Sequence, residues 1–426
     1  MRKQSNPFVI RMVVLASGER LPMLCARETG VPLFEPTVWA LSELRARNRA
    51  SATIQQALRA VLVLNLALGR LRVDLDARLS EGRLLELGEL EEVTRHCRLP
   101  LEDLTGEVSD EAAGPAKVTN FEKVRMRTSA PAPDSVDDKT AAIRIRYIRD
   151  YLKWRSNACL MKLGPRHQLY SGLQATQKNV IDILNERTPG SSGRNSVGQR
   201  EGISEDDLER LLAVTEPGSP DNPWSGDHAR ERNALILRWL LALGVRRGEM
   251  LGVRISDINF QTHEVLIARR ADSPDDPRKN QPNTKTRDRL IPIDEDLAVL
   301  THRYITGARR AIPGARRHEF LIVANGSGAP LTLAALNKIF DVLRRKCPDL
   351  PQELCPHVCR HTFNDALSVD MDEQNVSPEK EEAIRSHLNG WIPDSGTAAT
   401  YNRRHVRRQA RKVSLGMQEK LMKRKN

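Results

Sequence analysis

The first periodic signal is a run of apolar residues broken by a turn. "FVIRMVVL" and "ERLPML" read as two strands joined at Ser17-Gly18. Helical spacing takes over in "SATIQQALRAVLVLNLALGRL" and again in "TAAIRIRYIRDYLKWRSN". In the second, Ile145, Ile148 and Leu152 share one face, while Arg144, Arg146, Arg149, Lys153 and Arg155 occupy the remainder. Beyond residue 200 the pattern mixes. Ser204 is placed to cap a helix over "EDDLERLL", with Asp207 returning the bond. "ERNALILRWLLALGVRRGEMLGV" is strongly helical, and "HEVLIARR" and "RDRLIPI" read as strands around a long polar loop. "FLIVANGSGAPLT" reads as a strand and turn. The helix "LAALNKIFDVLRRK" follows, capped by Thr332, and a further helix runs through "HTFNDALSV".

These elements predict an α+β protein, mainly helical, with a small antiparallel β-sheet on one side of the second domain. The expected divisions are a β-rich segment over 1–30, a helical domain over 31–187 interrupted by a proline-rich linker near 128–138, and an interdomain linker over 188–203. A second domain covers 204–412, and a tail covers 413–426. The linkers are "TSAPAPDSVDD" and "RTPGSSGRNSVGQREG", neither with apolar periodicity.

Composition narrows the partners. Hydrophobic residues make up 39% and charged residues 29% of the 426, and no apolar run approaches the ~20 residues of a membrane span. Arg11 interrupts the apolar stretch at the N-terminus, so it does not read as a signal peptide. Six scattered cysteines predict no disulfide framework and point to a reducing cytoplasm. A net charge of +12 favours a polyanion, because each phosphate neutralised by Lys or Arg releases a counterion.

The stretch "CPHVCRHTF" (355–363) poses a choice between a metal site and a phosphate clamp. Cys355, His357, Cys359 and His361 alternate, which suits a strand; on a helix they wind around more than half the circumference and cannot converge on one ion. Helical periodicity continues into "HTFNDAL", so no metal is expected. His357 and Arg360, three apart, instead offer an imidazole and a guanidinium fork suited to a phosphate oxygen.

"LALGVRRGEMLGVRISDI", "NTKTRDRLIPI", "PHVCRHTF" and "LNGWIPDSGTAATYNRRHV" occur in this order. Together they resemble the tyrosine recombinase (phage integrase) family over about residues 200 to 410, and more weakly around 140 to 155. The resemblance implies an active site of Arg246, Lys285, His357, Arg360, Trp391 and the nucleophile Tyr401, with Glu249 holding Arg246 in place. Arg247, Lys279 and His387 are the adjacent rivals for three of these roles. Tyr401 lies ten residues after Trp391, one more than the family's usual spacing, and the stretch from Arg360 to Trp391 carries an acidic insert near "DEQNVSPEKEE".

The same resemblance implies a two-domain clamp around double-stranded DNA, with Arg144, Arg146, Arg149 and Lys153 of the helical domain facing the backbone. It further implies a homo-tetramer on paired recombination sites assembled from solution monomers, accessory DNA-bending proteins, no membrane and no cofactor. The expected activity is cleavage and rejoining through a 3′-phosphotyrosine, and the expected location is the cytoplasm of a bacterium or a phage-infected cell. The tail either contacts phosphate or packs as a helix on a neighbouring protomer; Val413, Leu415, Met417 and Leu421 favour packing. Two other readings share many of these residues: a type IB topoisomerase, and a relative that binds DNA without cutting it.

Overall fold

The structure, a computed structural model, describes residues 6–105, 135–190, 202–282, 287–391, 410–411 and 413–420. The proline-rich stretch through residue 134 and positions 191–201 of the second linker lie outside the described residues, as do Lys285 and Tyr401. The chain divides into two compact units, Met1–Leu15 with Arg20–Asn195, and Ala16–Glu19 with Ser196–Asn426.

The first unit begins with the expected hairpin. β1 (Phe8–Val14) pairs antiparallel with β2 (Arg20–Ala26), from Phe8 opposite Ala26 to Val14 opposite Arg20. Helices follow: α1 (Phe34–Trp39), continuing as a π turn over Ala40–Arg45, then α2 (Ser51–Leu71), α3 (Leu75–Ser80), α4 (Leu87–Arg98), α5 (Asp138–Leu163) and α6 (Tyr170–Glu186). Leu24 of β2 joins Leu58 and Val61 of α2, Val93 of α4, Ile148 and Leu152 of α5 and Leu184 of α6 in one core.

Two expectations need correction here. α2 is 21 residues long with a mean hydropathy of 1.3, enough to span a membrane by length and composition, although the sequence reading found no such run. Most of that window, 61%, is buried inside the unit, which is how so apolar a helix is satisfied without lipid. Arg155, expected off the apolar face of α5, is buried and ion-paired to Glu35 of α1 and Asp76 of α3. The partners that make its burial tolerable sit on separate short helices, invisible to a single-helix projection.

The second unit starts where the cap predicts. The Ser204 hydroxyl accepts from the Asp207 N–H, but donates to the Asp207 carboxylate rather than leaving it to the backbone. The helices are α7 (Glu205–Thr215), α8 (Asp227–Leu243), α9 (Arg247–Gly252), α10 (Glu295–Tyr304), α11 (Leu333–Lys346), α12 (Pro356–Glu373) and α13 (Pro378–Asn389). A three-stranded antiparallel sheet, β3 (Ile258–Asn259), β4 (Glu264–Ile267) and β5 (Arg289–Pro292), sits in that order, with Val265 opposite Ile291. Val265 and Ile291 pack with Trp239, Leu240, Leu321, Phe340 and Leu343 in the core. Thr332 caps α11 as expected.

The long helix expected across residues 231–253 is broken. Gly244 has φ +58°, and a Cβ built there would lie 2.2 Å from the Phe363 ring. Only glycine meets both demands, so α8 stops and Arg246 leaves the helix in extended conformation at the start of α9. "FLIVANGSGAPLT" forms no strand, only isolated bridges of Arg254 to Phe320 and Val323 to Pro330. The Arg309 guanidinium takes the Phe320 carbonyl that a ladder would have used. The polar loop between β4 and β5 is pinned by buried Arg278. It pairs with Asp276, donates to the Leu251 and Leu331 carbonyls at 3.0 and 2.8 Å, and lies over the Phe320 ring.

Gly244→Ala should cost at least about 2 kcal/mol, combining a left-handed penalty with overpacking. Urea denaturation measures this; a change below half that size would contradict the clash. His228 is held neutral, its pKa lowered to about 4 by burial and then by the Arg232 charge. The unfolded imidazole takes up its proton near pH 6.5 while the folded one resists until near pH 4, so stability falls as pH drops through that window. His228→Gln should flatten this part of the melting-temperature profile relative to the parent.

Candidate active site

Cys355 and Pro356 open α12, the proline occupying a first-turn position where its missing N–H costs nothing. The nine-residue stretch 355–363 is thus helical, as its continuation suggests. Cys359 is fully enclosed, and burial drives its thiol pKa upward. His357 is exposed, its ring edge-on to His361 with centroids 4.8 Å apart. Arg360, one turn on, is only 1% exposed. Its guanidinium donates through Nη1 to the Gly244 carbonyl and through Nη2 to the Asn389 carbonyl at 2.9 Å.

Arg246 reaches that same Asn389 oxygen through Nη1 at 3.1 Å. Two guanidinium groups from sequence-distant elements therefore meet at one atom, the last carbonyl of α13. A helix C-terminus leaves its final carbonyls without intrahelical donors and carries partial negative charge, so it both needs and attracts cations. The neighbouring Leu388 carbonyl accepts from Arg289 Nε at 2.9 Å. Gly390, at φ +65°, ends α13, and the Trp391 N–H returns to the Ser386 carbonyl at 2.9 Å. That turn delivers Trp391 to its place, 5.7 Å from Arg360 Cζ to the ring centroid, within cation–π range.

Glu249 sits beneath the cluster with its side chain 1% exposed. It accepts the Arg246 backbone N–H at 2.8 Å, approaches Arg246 Nη1 at 3.5 Å, and takes both Arg289 Nη groups at 3.2 and 3.0 Å. The Arg246 side chain is 32% exposed against 3% for Arg289. Arg246 is therefore the guanidinium with most access to a ligand.

α13 is itself fixed by a buried polar net. Arg385 donates to the Asn364 carbonyl and to the Ser368 hydroxyl, and pairs with Glu381. Asn389 Nδ2 donates to Asn364 Oδ1 at 3.0 Å. These bonds join α12 to α13 side to side, which holds the two arginine-bearing elements and the carbonyl in register.

Of the sequence-predicted residues, Arg246, Glu249, Arg360 and Trp391 come together. His357 lies on the same helix as Arg360 but in an exposed position. Arg247 faces solvent and donates to Asn337, the adjacent charge it was read as. Lys279 is exposed on the pinned loop, and His387 is exposed on α13, lining a cleft with Arg287, Ser386 and Trp391. In the first unit, Arg144 donates to the Cys97 and Leu99 carbonyls at the end of α4, and burial lowers its pKa. Arg149 binds Asn185 and Asp150, whereas Arg146 and Lys153 are exposed.

Arg289, Asn364, Arg385 and Asn389 escaped the sequence reading. Arg289 left a trace: it falls in phase with Ile291 and Ile293 on the inward side of β5, an odd place for an unpaired charge.

Comparison with known proteins finds similarity over part of the chain. Residues 201–377 match the phage integrase family model, a span that holds Arg246, Glu249 and Arg360 and ends before Trp391. The chain is 24% identical over 143 residues to tyrosine recombinase XerD of Halalkalibacterium halodurans, covering 34% of this chain and 42% of that protein. It is 24% identical over 160 residues to tyrosine recombinase XerC of Anoxybacillus flavithermus, covering 37% and 45%. The chain thus spans less than half the length of either relative. Among solved structures, the Tn1549 transposon integrase in complex with circular intermediate DNA covers 80% of this chain and 94% of its own, at 15% identity and TM-score 0.41. A lambda integrase dimer bound to a COC′ core site covers 94% and 95%, at 15% identity and TM-score 0.34. Through residues 201–377, the chain is similar to the phage integrase family.

Proposed function

We propose that the protein is a tyrosine-type site-specific DNA recombinase, which cleaves and rejoins duplex DNA to integrate or excise a mobile element. The observation that carries this reading is the meeting of Arg246 and Arg360 at the Asn389 carbonyl. Two guanidiniums converging from separate elements support a site for the non-bridging oxygens of a phosphodiester. Fixed cations stabilise the charge that gathers on those oxygens in a pentacoordinate transition state, without reorganisation cost.

In the proposed reaction the Tyr401 oxygen attacks phosphorus and its proton passes to His357. The bond to the 5′ oxygen breaks, and Lys285 supplies the proton that this oxygen takes up. The resulting 3′-phosphotyrosine conserves the energy of the broken bond, so rejoining needs no other source. Attack by the 5′ hydroxyl of a second duplex expels the tyrosine and completes exchange. Trp391 donates toward a phosphate oxygen and shields the Arg360 face.

Its partner is double-stranded DNA at paired sites, gripped by four protomers assembled from solution monomers, with accessory DNA-bending proteins and a cytoplasmic, nucleoid-associated location. The net charge of +12 and the exposed Arg146 and Lys153 of α5 support a DNA partner.

A library of nicked duplexes, in which cleavage releases a short strand and traps the intermediate, tests this directly. The parent should form a covalent protein–DNA adduct and Tyr401→Phe none; an undiminished adduct in the phenylalanine variant would overturn the assignment. Arg360→Lys keeps the charge but loses the fork, and should slow adduct formation by about 10²- to 10³-fold. Relaxation of supercoiled DNA without pairing of two sites would favour the topoisomerase reading instead.

A further inference from the structure

Among the described residues, Glu249 bonds two arginines and serves them unequally. Arg289 holds the carboxylate as a fork, at 3.2 and 3.0 Å, while Arg246 receives a backbone bond at 2.8 Å and only a long side-chain approach of 3.5 Å. Forked pairing is the strong mode for a guanidinium and a carboxylate, and it consumes the geometry that a phosphate would otherwise use. Arg289 is spent entirely inside the protein, with Nε on the Leu388 carbonyl and a side chain 3% exposed. All three of its guanidinium nitrogens are therefore engaged by protein oxygens.

We infer that Arg289 is a positioning residue that acts through Glu249: by occupying the carboxylate's forked face, it keeps Arg246 from collapsing onto Glu249 and leaves that guanidinium aimed at the scissile phosphate. The inference rests on the recombinase reading above. Without Arg289, Arg246 is the guanidinium beside the near-buried carboxylate among the described residues. Its fork would turn inward, and its charge would be neutralised before substrate arrived. Arg289 also starts β5, four residues after Lys285, so the strand that follows the proposed proton donor is tied to the same carboxylate.

The test uses the full chain and a nicked duplex recovered from the adduct selection, with single-turnover cleavage as the readout. Arg289→Gln should cleave about a hundredfold more slowly than the parent, with duplex binding little changed. On the same duplex carrying an uncharged methylphosphonate at the scissile position, the deficit should shrink, because Arg246 then has less charge to answer. The double variant Glu249→Gln with Arg289→Gln should recover roughly tenfold over Arg289→Gln, since a neutral amide no longer draws Arg246 inward.

A purely structural role for Arg289 predicts something else: equal deficits on both substrates and a double variant no faster than the single one. Either result overturns the inference, as does an Arg289→Gln enzyme that cleaves at the parent rate. Should Arg289→Gln melt below the assay temperature, Arg289→Lys carries the same comparison, retaining charge without the fork and sharing the substrate-dependent deficit. A parent that forms no adduct sinks the recombinase reading itself, whereas a parent that cleaves beside an equally active Arg289→Gln sinks this inference alone.

Discussion

A single backbone oxygen, the carbonyl of Asn389, organises the second unit's chemistry. Guanidinium groups repel one another, and three of them, from Arg246, Arg289 and Arg360, crowd into one corner of the unit. They stay because the C-terminus of α13 presents two unsatisfied carbonyls and Glu249 adds a full negative charge. The remaining excess of positive charge is what suits the corner to the phosphate of the proposed reaction. Everything that fixes α13, including the Arg385–Asn364–Ser368 net and the turn at Gly390, therefore bears on how those cations are aimed.

Gly244 links this electrostatic arrangement to the fold. Its left-handed backbone ends α8, lets the chain reverse so that Arg246 leads α9, and offers the carbonyl that Arg360 Nη1 grips. Phe363, one turn beyond Arg360 on α12, closes against the same glycine. One residue without a side chain thus brings the two arginine-bearing segments into contact, and its three roles leave little freedom for substitution.

How much of this could be read from residue order depends on what kind of signal each part leaves. Period-two and period-3.6 patterns located the hairpin, α2, α5 and the capped starts of α7 and α11, because each buries one recognisable face. The break at Gly244 left no such mark, since apolar spacing runs straight through it and the decision belongs to packing against Phe363. Arg246, Glu249, Arg360 and Trp391 were legible as side chains in recurring motifs. The Asn389 carbonyl was not, because every residue carries one and only the end of a helix gives it meaning. Arg289 lay between: its inward phase on β5 was visible, but the carboxylate that explains it is forty positions away.

The core of the first unit has a temporal side. α2 is apolar on nearly every face, and α5, which covers part of it, ends about 90 residues later. At ribosomal speeds of ~5–20 residues per second, the part of its surface that α5 covers waits several seconds after it is made. During that interval the nascent chain holds a 21-residue segment whose length and composition would suffice to cross a membrane, partly open to whatever apolar surface lies nearby.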